Sequence, residues 1–147
     1  MADLLTTAGA DRVLAMTLHS PQVHGFFSVP VDHLHAQEEL AAHFRRLDLR
    51  TTTVVSPDLG NAKAAAALAR RLGVPVAAGA KERTADRVQI GALIGEIADR
   101  DVIVFDDEVA KGSTVLELVD RLREVGVRSI RVACTHCLLY TSDAADE

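Results

Sequence analysis

Strand-like apolar runs alternate along the chain with segments whose apolar residues recur at helical spacing. The strand-like runs are rich in valine and isoleucine, whereas the helical segments place leucine and alanine three or four residues apart. The pattern predicts strands over 12–18, 52–55, 74–78, 94–97, 102–105 and 127–133, and helices over 37–47, 61–72 and 113–125. Gly73 and Gly126 follow the last two helices, as expected of residues that end a helix.

Strands that alternate with helices of about ten residues are typical of βαβ units. Such units build a parallel sheet flanked by helices, so the predicted fold class is α/β. A polar segment, 79–87, separates two predicted strands, and we expect it to be a mobile loop. Because ligands of α/β proteins bind at the carboxyl ends of the strands, the residues that follow each strand are the candidates for chemistry.

Composition and charge exclude several classes of protein. Hydrophobic residues make up 48% of the chain and charged residues 25%, the balance of a soluble globular protein. The net charge is −5 and the sequence has no cluster of cations, so we expect no nucleic-acid partner. Segment 13–31 lacks charged residues, but Pro21, Pro30 and two histidines interrupt it. We therefore expect no membrane association and, because no secretory signal is visible, a cytoplasmic location.

The strongest chemical signal follows the strand predicted over 102–105. Asp106 and Asp107 come directly after its apolar residues, and the next helix begins near Ser113. Unpaired N–H groups at a helix N-terminus attract anions, and Lys111 adds a positive charge. Since carboxylates bind sugar hydroxyls or Mg²⁺, the motif predicts a site for a phosphorylated sugar. The alternative is that the two carboxylates cap the helix and face solvent.

A similar arrangement follows the strand predicted over 52–55. Asp58 comes after the strand, Gly60 permits a tight turn, and the next helix begins at Asn61. Two such loops at the ends of neighbouring strands would hold both ends of one ligand. The alternative is an ordinary turn, since Pro-Asp-x-Gly is a common turn sequence.

Isolated charged groups supply further candidates. Lys81 and Arg83 lie in the polar segment 79–87, and two cations on a mobile loop are able to close over a charge-rich transition state. The alternative is solvated surface charge. His19 follows the first predicted strand, and imidazole binds metal or phosphate. We interpret four further histidines as structural: His24, His33, His35 and His43.

Segment 137–147 departs from the pattern that precedes it. An aliphatic strand pattern gives way to a small acidic sequence that resembles the read-through translation of a transposase-type sequencing adapter. We expect this tail to be foreign to the fold, the gene to continue past His136, and Met1 to be an internal start. Cys134 and Cys137 share a spacing found in redox and metal sites, but we interpret it as coincidental.

Several segments, in collinear order, resemble the ribose-phosphate pyrophosphokinase family from about residue 2 to residue 136. They are 8–13, 18–22, 25–27, 29–32, 54–58, 81–83, 106–107 and 134–136. The resemblance implies an incomplete phosphoribosyltransferase-like (Rossmann-like) fold. It also implies transfer of diphosphate from ATP to ribose 5-phosphate, with Mg²⁺ as cofactor and AMP as the second product. Members of the family form homo-oligomers, which we expect of the complete protein.

The resemblance assigns roles to particular residues. Asp106 and Asp107 would contact the ribose hydroxyls, directly or through Mg²⁺. The loop that would hold the 5-phosphate is Ala110, Lys111, Gly112, Ser113 and Thr114. The loop that would hold the pyrophosphate and its metal is Asp58, Leu59, Gly60 and Asn61.

Other residues would contact ATP. Lys81 and Arg83 would stabilise the transferring phosphoryl groups, since catalysis of phosphoryl transfer is mainly positioning and charge neutralisation. His19 would contact Mg–ATP and its metal, and Asp32 would lie near a metal.

The chain also departs from the family pattern. Residues 110–114 stand where the family has Asp-Thr-Ala-Gly-Thr, so a carboxylate is lost and Lys111 is gained. Thr17 and Ser28 stand where acids are usual, and Asn61 replaces a second glycine. Two alternatives stay open: a non-catalytic regulatory member that binds phosphosugar or nucleotide, and a phosphoribosyltransferase.

The resemblance further predicts a division of the chain. Residues 1–40 would be the end of an N-terminal phosphoribosyltransferase-like domain, and 41–136 would be most of a C-terminal one. Residues 137–147 would be the foreign tail. We expect a fragment of this extent to be inactive by itself.

Overall fold

The structure, a computed structural model, describes residues 1–83 and 88–138, with side chains described outside 81–89. The chain divides into two compact units, Met1–Glu38 and Glu39–Glu147. Within the described ranges, no helix is long and apolar enough to cross a lipid bilayer.

The first unit contains a two-stranded parallel sheet. Its elements are α1 (Ala2–Thr7), β1 (Val13–Met16), a 3₁₀ turn (Pro21–Phe26) and β2 (Val31–Leu34). The strands pair from Val13 opposite Val31 to Met16 opposite Leu34. The strand predicted over 12–18 is confirmed as β1, but β2 and α1 were not predicted. Strand β2 has Asp32 and His33 between its two apolar residues, so it lacks the apolar run that indicated β1.

The second unit is built on a five-stranded sheet. Its elements are α2 (Gln37–Phe44), β3 (Thr52–Ser56), α3 (Ala62–Leu72), β4 (Val76–Arg83), β5 (Val88–Ile94), β6 (Asp101–Val109), α4 (Ser113–Val125) and β7 (Ser129–Cys137). The strand order is β5-β4-β3-β6-β7. All neighbours are parallel except β5, which runs antiparallel to β4. The prediction of an α/β fold with a mostly parallel sheet is therefore confirmed.

Helices cover both faces of this sheet. Alternate residues of β6 enter two different cores, as the period of a strand requires. Phe105 packs in a core with Leu68 of α3, and Val104 packs in another with Leu118 of α4. All four side chains are buried. Burial on both faces explains why residues 102–105 of β6 form a continuous apolar run rather than an alternating one.

The predicted ends of helices α3 and α4 are confirmed. Helix α4 has the predicted bounds, Ser113–Val125. Gly73 and Gly126 adopt left-handed backbone conformations, with φ of 69° and 80°, directly after α3 and α4. A glycine adopts this conformation without the steric cost that a β-carbon imposes, so both glycines end their helices as predicted.

Two predictions about the region 79–97 are wrong. The segment 79–87 was expected to be a loop, but β4 continues to Arg83 because β5 pairs with it along its length. The strand expected over 94–97 is instead Val88–Ile94, and Gly95 follows it with φ of 129°. Residues 84–87 of the expected loop lie outside the described part of the chain.

Candidate functional site

The two acidic residues lie inside β6 rather than after it. Strand β6 extends to Val109 because β7 continues to pair with it, with Asp106 opposite Cys134. The pairing with β3 ends earlier, at Val104 opposite Val55. The carboxyl-terminal half of β6 therefore extends beyond β3, next to the loop that leaves β3.

A cavity of about 320 Å³ lies between the end of β6 and the start of α4. Asp106 and residues 108–115 line it, so every residue of the predicted 5-phosphate loop is present. Gly112 caps α4 in the left-handed conformation, with φ of 79°, and its C=O accepts a hydrogen bond from the N–H of Leu116 (2.9 Å). Because the first N–H groups of a helix have no partner inside it, this end of the cavity suits an anion.

The cavity wall includes a residue that sequence reasoning missed. Glu108 lines the cavity together with Asp106, two residues before it on β6. The signal was available, since residues two apart on a strand share a face. Ala110 brings no carboxylate to this wall, and Lys111 is exposed at its edge.

The loop after β3 is a tight turn organised by Asp58. The backbone N–H of Asn61 donates to Oδ1 of Asp58 (3.0 Å), and the hydroxyl of Ser56 donates to the C=O of Asp58 (2.6 Å). A β-carbon at Gly60 would lie 3.1 Å from the same Oδ1. Leu59 is exposed at the tip of the turn. The turn thus keeps a small residue where the backbone passes close to a carboxylate.

Asn61 joins the two predicted loops. Its Nδ2 donates to the C=O of Phe105 (3.2 Å) and to Oδ1 of Asp106 (3.1 Å). The backbone N–H of Asp107 donates to the same Oδ1 (3.0 Å). The pyrophosphate loop and the ribose-binding acids, predicted separately, therefore lie side by side.

Burial and negative charge perturb the central carboxyl of the site. Burial raises the pKa of Asp106 to about 6, and the side-chain hydrogen bond with Asp107 and the charges of Asp107 and Asp58 act in the same direction, against the bond from the backbone N–H of Asp107. A carboxyl whose neighbours oppose its ionisation lies in a negative potential, which a bound cation would relieve.

The carboxylates fit a magnesium ion that is coordinated partly by the protein and partly by the substrate. Within the described residues, no group of three or more His, Cys, Asp and Glu side chains is placed to hold a metal ion. Mg²⁺ commonly uses only one or two carboxylates and completes its shell with water and substrate phosphates. Asp106 and Asp107, with the charge of Asp58 close by, are compatible with that mode.

The predicted catalytic cations belong to the β4–β5 hairpin. The backbones of Lys81 and Arg83 pair with Ile90 and Val88, while their side chains lie outside the described part of the structure. Their role stays a prediction.

The predicted ATP and metal residues of the first unit have partners of their own. The guanidinium of Arg12 forms two hydrogen bonds with the carboxylate of Asp32, at 2.5 and 2.9 Å, and this pairing lowers the pKa of Asp32. His19 is exposed after β1. The preceding backbone N–H, of Leu18, donates to Nε2 of His33 (2.8 Å), consistent with a structural role for His33. Metal or ATP binding by His19 and Asp32 stays a prediction.

The cysteine pair offers no disulfide. Cys134 and Cys137 both carry free thiols, and burial is the main reason that the pKa of Cys134 is raised. Strand β7 extends through Cys137, the first residue of the segment predicted to be foreign, while 139–147 lie outside the described residues.

Comparison with known proteins identifies the family. The family model for the phosphoribosyl transferase domain matches residues 31–144. The chain is 76% identical to a putative ribose-phosphate pyrophosphokinase of Streptomyces coelicolor, over 94% of this chain and 44% of that protein. It is 48% identical to the ribose-phosphate pyrophosphokinase of Deinococcus radiodurans, over 92% of this chain and 43% of that protein.

Two solved structures are similar to this chain in fold. The crystal structure of phosphoribosylpyrophosphate synthetase from Mycobacterium smegmatis matches with a TM-score of 0.84 and 38% identity, over 94% of this chain and 45% of that one. A purine phosphoribosyltransferase from Pyrococcus horikoshii matches with a TM-score of 0.59 and 20% identity, over 87% of this chain and 79% of that one, which supports the fold alone. The chain spans less than half the length of the curated relatives that it matches. By its sheet, its loops and the family match, the chain belongs to the phosphoribosyltransferase-domain family, and it is similar to part of the ribose-phosphate pyrophosphokinases.

Proposed function

We propose that this chain is part of an enzyme that transfers diphosphate from ATP to ribose 5-phosphate, giving phosphoribosyl pyrophosphate and AMP. The observation that carries the proposal is the cavity of about 320 Å³ that joins Asp106 to the N-terminus of α4. A phosphorylated sugar has an anionic end and a hydroxyl-bearing end, and this cavity offers a partner for each. The names of the relatives support the same reaction.

Residues 110–114 would bind the 5-phosphate. The unpaired N–H groups of the first turn of α4 would donate to its oxygens, with Lys111 adding positive charge. Asp106 and Asp107 would accept hydrogen bonds from the ribose hydroxyls or share a Mg²⁺ with them. Asn61 would keep the Asp58 turn beside these acids through its bond to Asp106.

The reaction needs its charges neutralised more than it needs a general base. Mg²⁺ would supply Lewis acidity to the phosphates of ATP. Asp58 would contact the pyrophosphate and its metal. In the first unit, His19 would contact Mg–ATP, and Asp32 would lie near a metal. Lys81 and Arg83 would stabilise the charge that develops on the transferring diphosphoryl group. We further propose that the complete enzyme is homo-oligomeric and cytoplasmic, and that this chain by itself is inactive.

Calorimetry with ribose 5-phosphate tests the binding half of the proposal on this chain. We expect saturable binding that is lost in the Asp106→Ala, Asp107→Ala double variant. Ribose without its phosphate is the matched control ligand, and we expect it to bind more weakly. Equal binding of both sugars would contradict the assignment of the 110–114 loop.

A chimera tests the chemical half. This chain would replace the matching 45% of the Mycobacterium smegmatis synthetase, and AMP formation from ATP, Mg²⁺ and ribose 5-phosphate would be followed. We expect turnover that Lys81→Ala abolishes. A folded chimera that binds ribose 5-phosphate but forms no AMP would overturn the enzymatic proposal.

The second candidate is a regulatory family member that binds phosphosugar without turnover. The observation that favours it is Ala110 in the cavity wall, at the position where the family motif carries a carboxylate. Ala110→Asp in the chimera separates the two candidates. Activity that appears only in this variant would support the regulatory role.

A further inference from the structure

The β4–β5 hairpin contains a bulge next to Lys81. Ala80 lies opposite Ala92 and Lys81 lies opposite Ile90, so Gly91 has no partner in the ladder. An extra residue of this kind bends a strand and sets the pairing of everything beyond it. The bulge thus fixes which residues of β5 lie opposite the end of β4.

Two side chains of α4 bind the backbone on either side of this bulge. The carboxylate of Glu117 accepts a hydrogen bond from the N–H of Ile90 (2.5 Å). The guanidinium of Arg121 donates to the C=O of Gly91 (2.9 Å). Glu117 and Arg121 are four residues apart, so they lie on the same face of the helix. Together they bind the N–H of Ile90 and the C=O of Gly91, at the two ends of the dipeptide that forms the bulge.

The helix that carries this pair is itself firmly placed. Leu118 and Leu122 of α4 are fully buried against the sheet. The helix begins at Ser113, in the wall of the cavity that residues 108–115 line together with Asp106. One rigid element therefore contacts both the cavity and the bulge.

We propose that Glu117 and Arg121 are positioning residues that hold the bulge and thereby fix the register of Lys81 and Arg83. Without the bulge, Lys81 would pair with Gly91 instead of Ile90. A slip of one residue would place every following residue of β5 opposite a different residue of β4, so the backbone partners of Lys81 and Arg83 would change. The catalytic meaning of this register rests on the proposed function, but the register itself does not.

The first test is nuclear magnetic resonance of the 147-residue chain with Glu117→Leu and Glu117→Gln. The glutamine amide oxygen still accepts from Ile90 N–H, whereas leucine cannot. We expect exchange of the Ile90 amide hydrogen to become at least about tenfold faster in Glu117→Leu, since a hydrogen bond to a charged acceptor is lost. The cross-strand contacts of Lys81 should shift from Ile90 towards Gly91. Glu117→Gln should stay close to the parent chain in both measurements.

Arg121→Leu provides a second variant of the same contact, in case Glu117→Leu does not fold. Its matched control is Arg123→Leu, since Arg123 pairs with exposed Asp120 on the same helix. We expect Arg121→Leu to release the bulge and Arg123→Leu to leave it unchanged. Unchanged Ile90 exchange and Lys81 contacts in Arg121→Leu or in a folded Glu117→Leu would overturn the proposal.

Turnover in the chimera with the Mycobacterium smegmatis synthetase tests the catalytic meaning. We expect Glu117→Leu to lower kcat about tenfold or more while KM for ribose 5-phosphate stays the same, because the phosphate cavity is untouched. Glu117→Gln should restore kcat. If the chimera shows no turnover with any variant, the proposed function fails while the register result stands. Normal turnover in a Glu117→Leu chimera with a shifted register would overturn the positioning role alone.

Discussion

Nδ2 of Asn61 lies 3.1 Å from Oδ1 of Asp106, although the two residues are 45 positions apart. The same nitrogen donates to the C=O of Phe105, so one side chain joins the turn after β3 to the end of β6. The family motif has glycine where this chain has Asn61, and glycine cannot form this connection. The two halves of the candidate site are thus held together by the side chain of Asn61.

Asn61→Ala should destabilise the chain by about 1–2 kcal/mol, because the Phe105 carbonyl and the Asp106 carboxylate both lose a donor. Urea denaturation measures the change in the free energy of unfolding. Lys63→Ala, an exposed change in the following helix, is the control and should be near neutral. A stability unchanged by Asn61→Ala would show that water replaces the amide without cost.

Asp106→Asn should stabilise the chain at neutral pH. The pKa of Asp106 is about 6 in the folded chain, above its ordinary value of 3.8, so folding opposes its ionisation. The parent chain therefore loses stability as pH rises from about 4 to about 6, and the loss is complete above that. The asparagine variant avoids this loss.

At pH 7.5, the free energy of unfolding of Asp106→Asn should exceed that of the parent chain by about 1 kcal/mol. The raised pKa alone would imply a larger difference, but solvent reaches this carboxyl and screens its charge. The difference should vanish below about pH 4, where both chains are neutral at this position. Thermal melts from pH 3.5 to pH 8 measure it. An advantage that is constant with pH would mean that the cause is not ionisation.

Lys111→Ala should weaken binding of ribose 5-phosphate about three- to tenfold at low salt, because an exposed cation at the cavity edge is lost. The difference should shrink at high ionic strength, where surface charges are screened. Calorimetry at two salt concentrations measures both effects. Arg46→Ala removes an equal charge from an exposed position after α2 and should leave the affinity unchanged.

Local chemistry made part of this structure predictable. Helix α4 and its capping Gly126 follow from leucine spacing and a glycine requirement within a few residues. The anion site near Ser113, with Lys111 beside it, follows from its place between a strand and a helix, and both residues line the cavity. In each case the information lies within one short segment.

Contacts between distant segments were not predictable. Strand β4 continues through charged residues because β5 supplies its backbone partners. The contact of Asn61 with Asp106 depends on β3 and β6 being neighbours in the sheet. Glu117 reads as an ordinary exposed helix residue until the bulge beside Ile90 is known. The strand order and the pairing register of the sheet decide these contacts. Neither can be inferred from the spacing of apolar residues within one segment.

Gly79→Ala should destabilise the chain and disturb the Asp58 turn. A β-carbon at Gly79 would lie 2.6 Å from the backbone oxygen of Pro57 and 3.1 Å from Cγ2 of Ile90. Pro57 precedes Asp58, so β4 would have to move away from the start of the turn. Overpacking of this kind costs about 1–3 kcal/mol, which corresponds to a fall in Tm of roughly 3–15 °C.

Gly73→Ala is the matched control for Gly79→Ala. Gly73 has open space around its missing β-carbon but a φ of 69°, so alanine there costs about 1 kcal/mol of backbone strain without moving a neighbour. Both variants should therefore lower Tm, measured by circular dichroism. Only Gly79→Ala should also weaken the binding of Mg²⁺–pyrophosphate, because only Gly79 lies against the Asp58 turn. Equal pyrophosphate affinity in the two variants would mean that the turn keeps its shape when β4 moves.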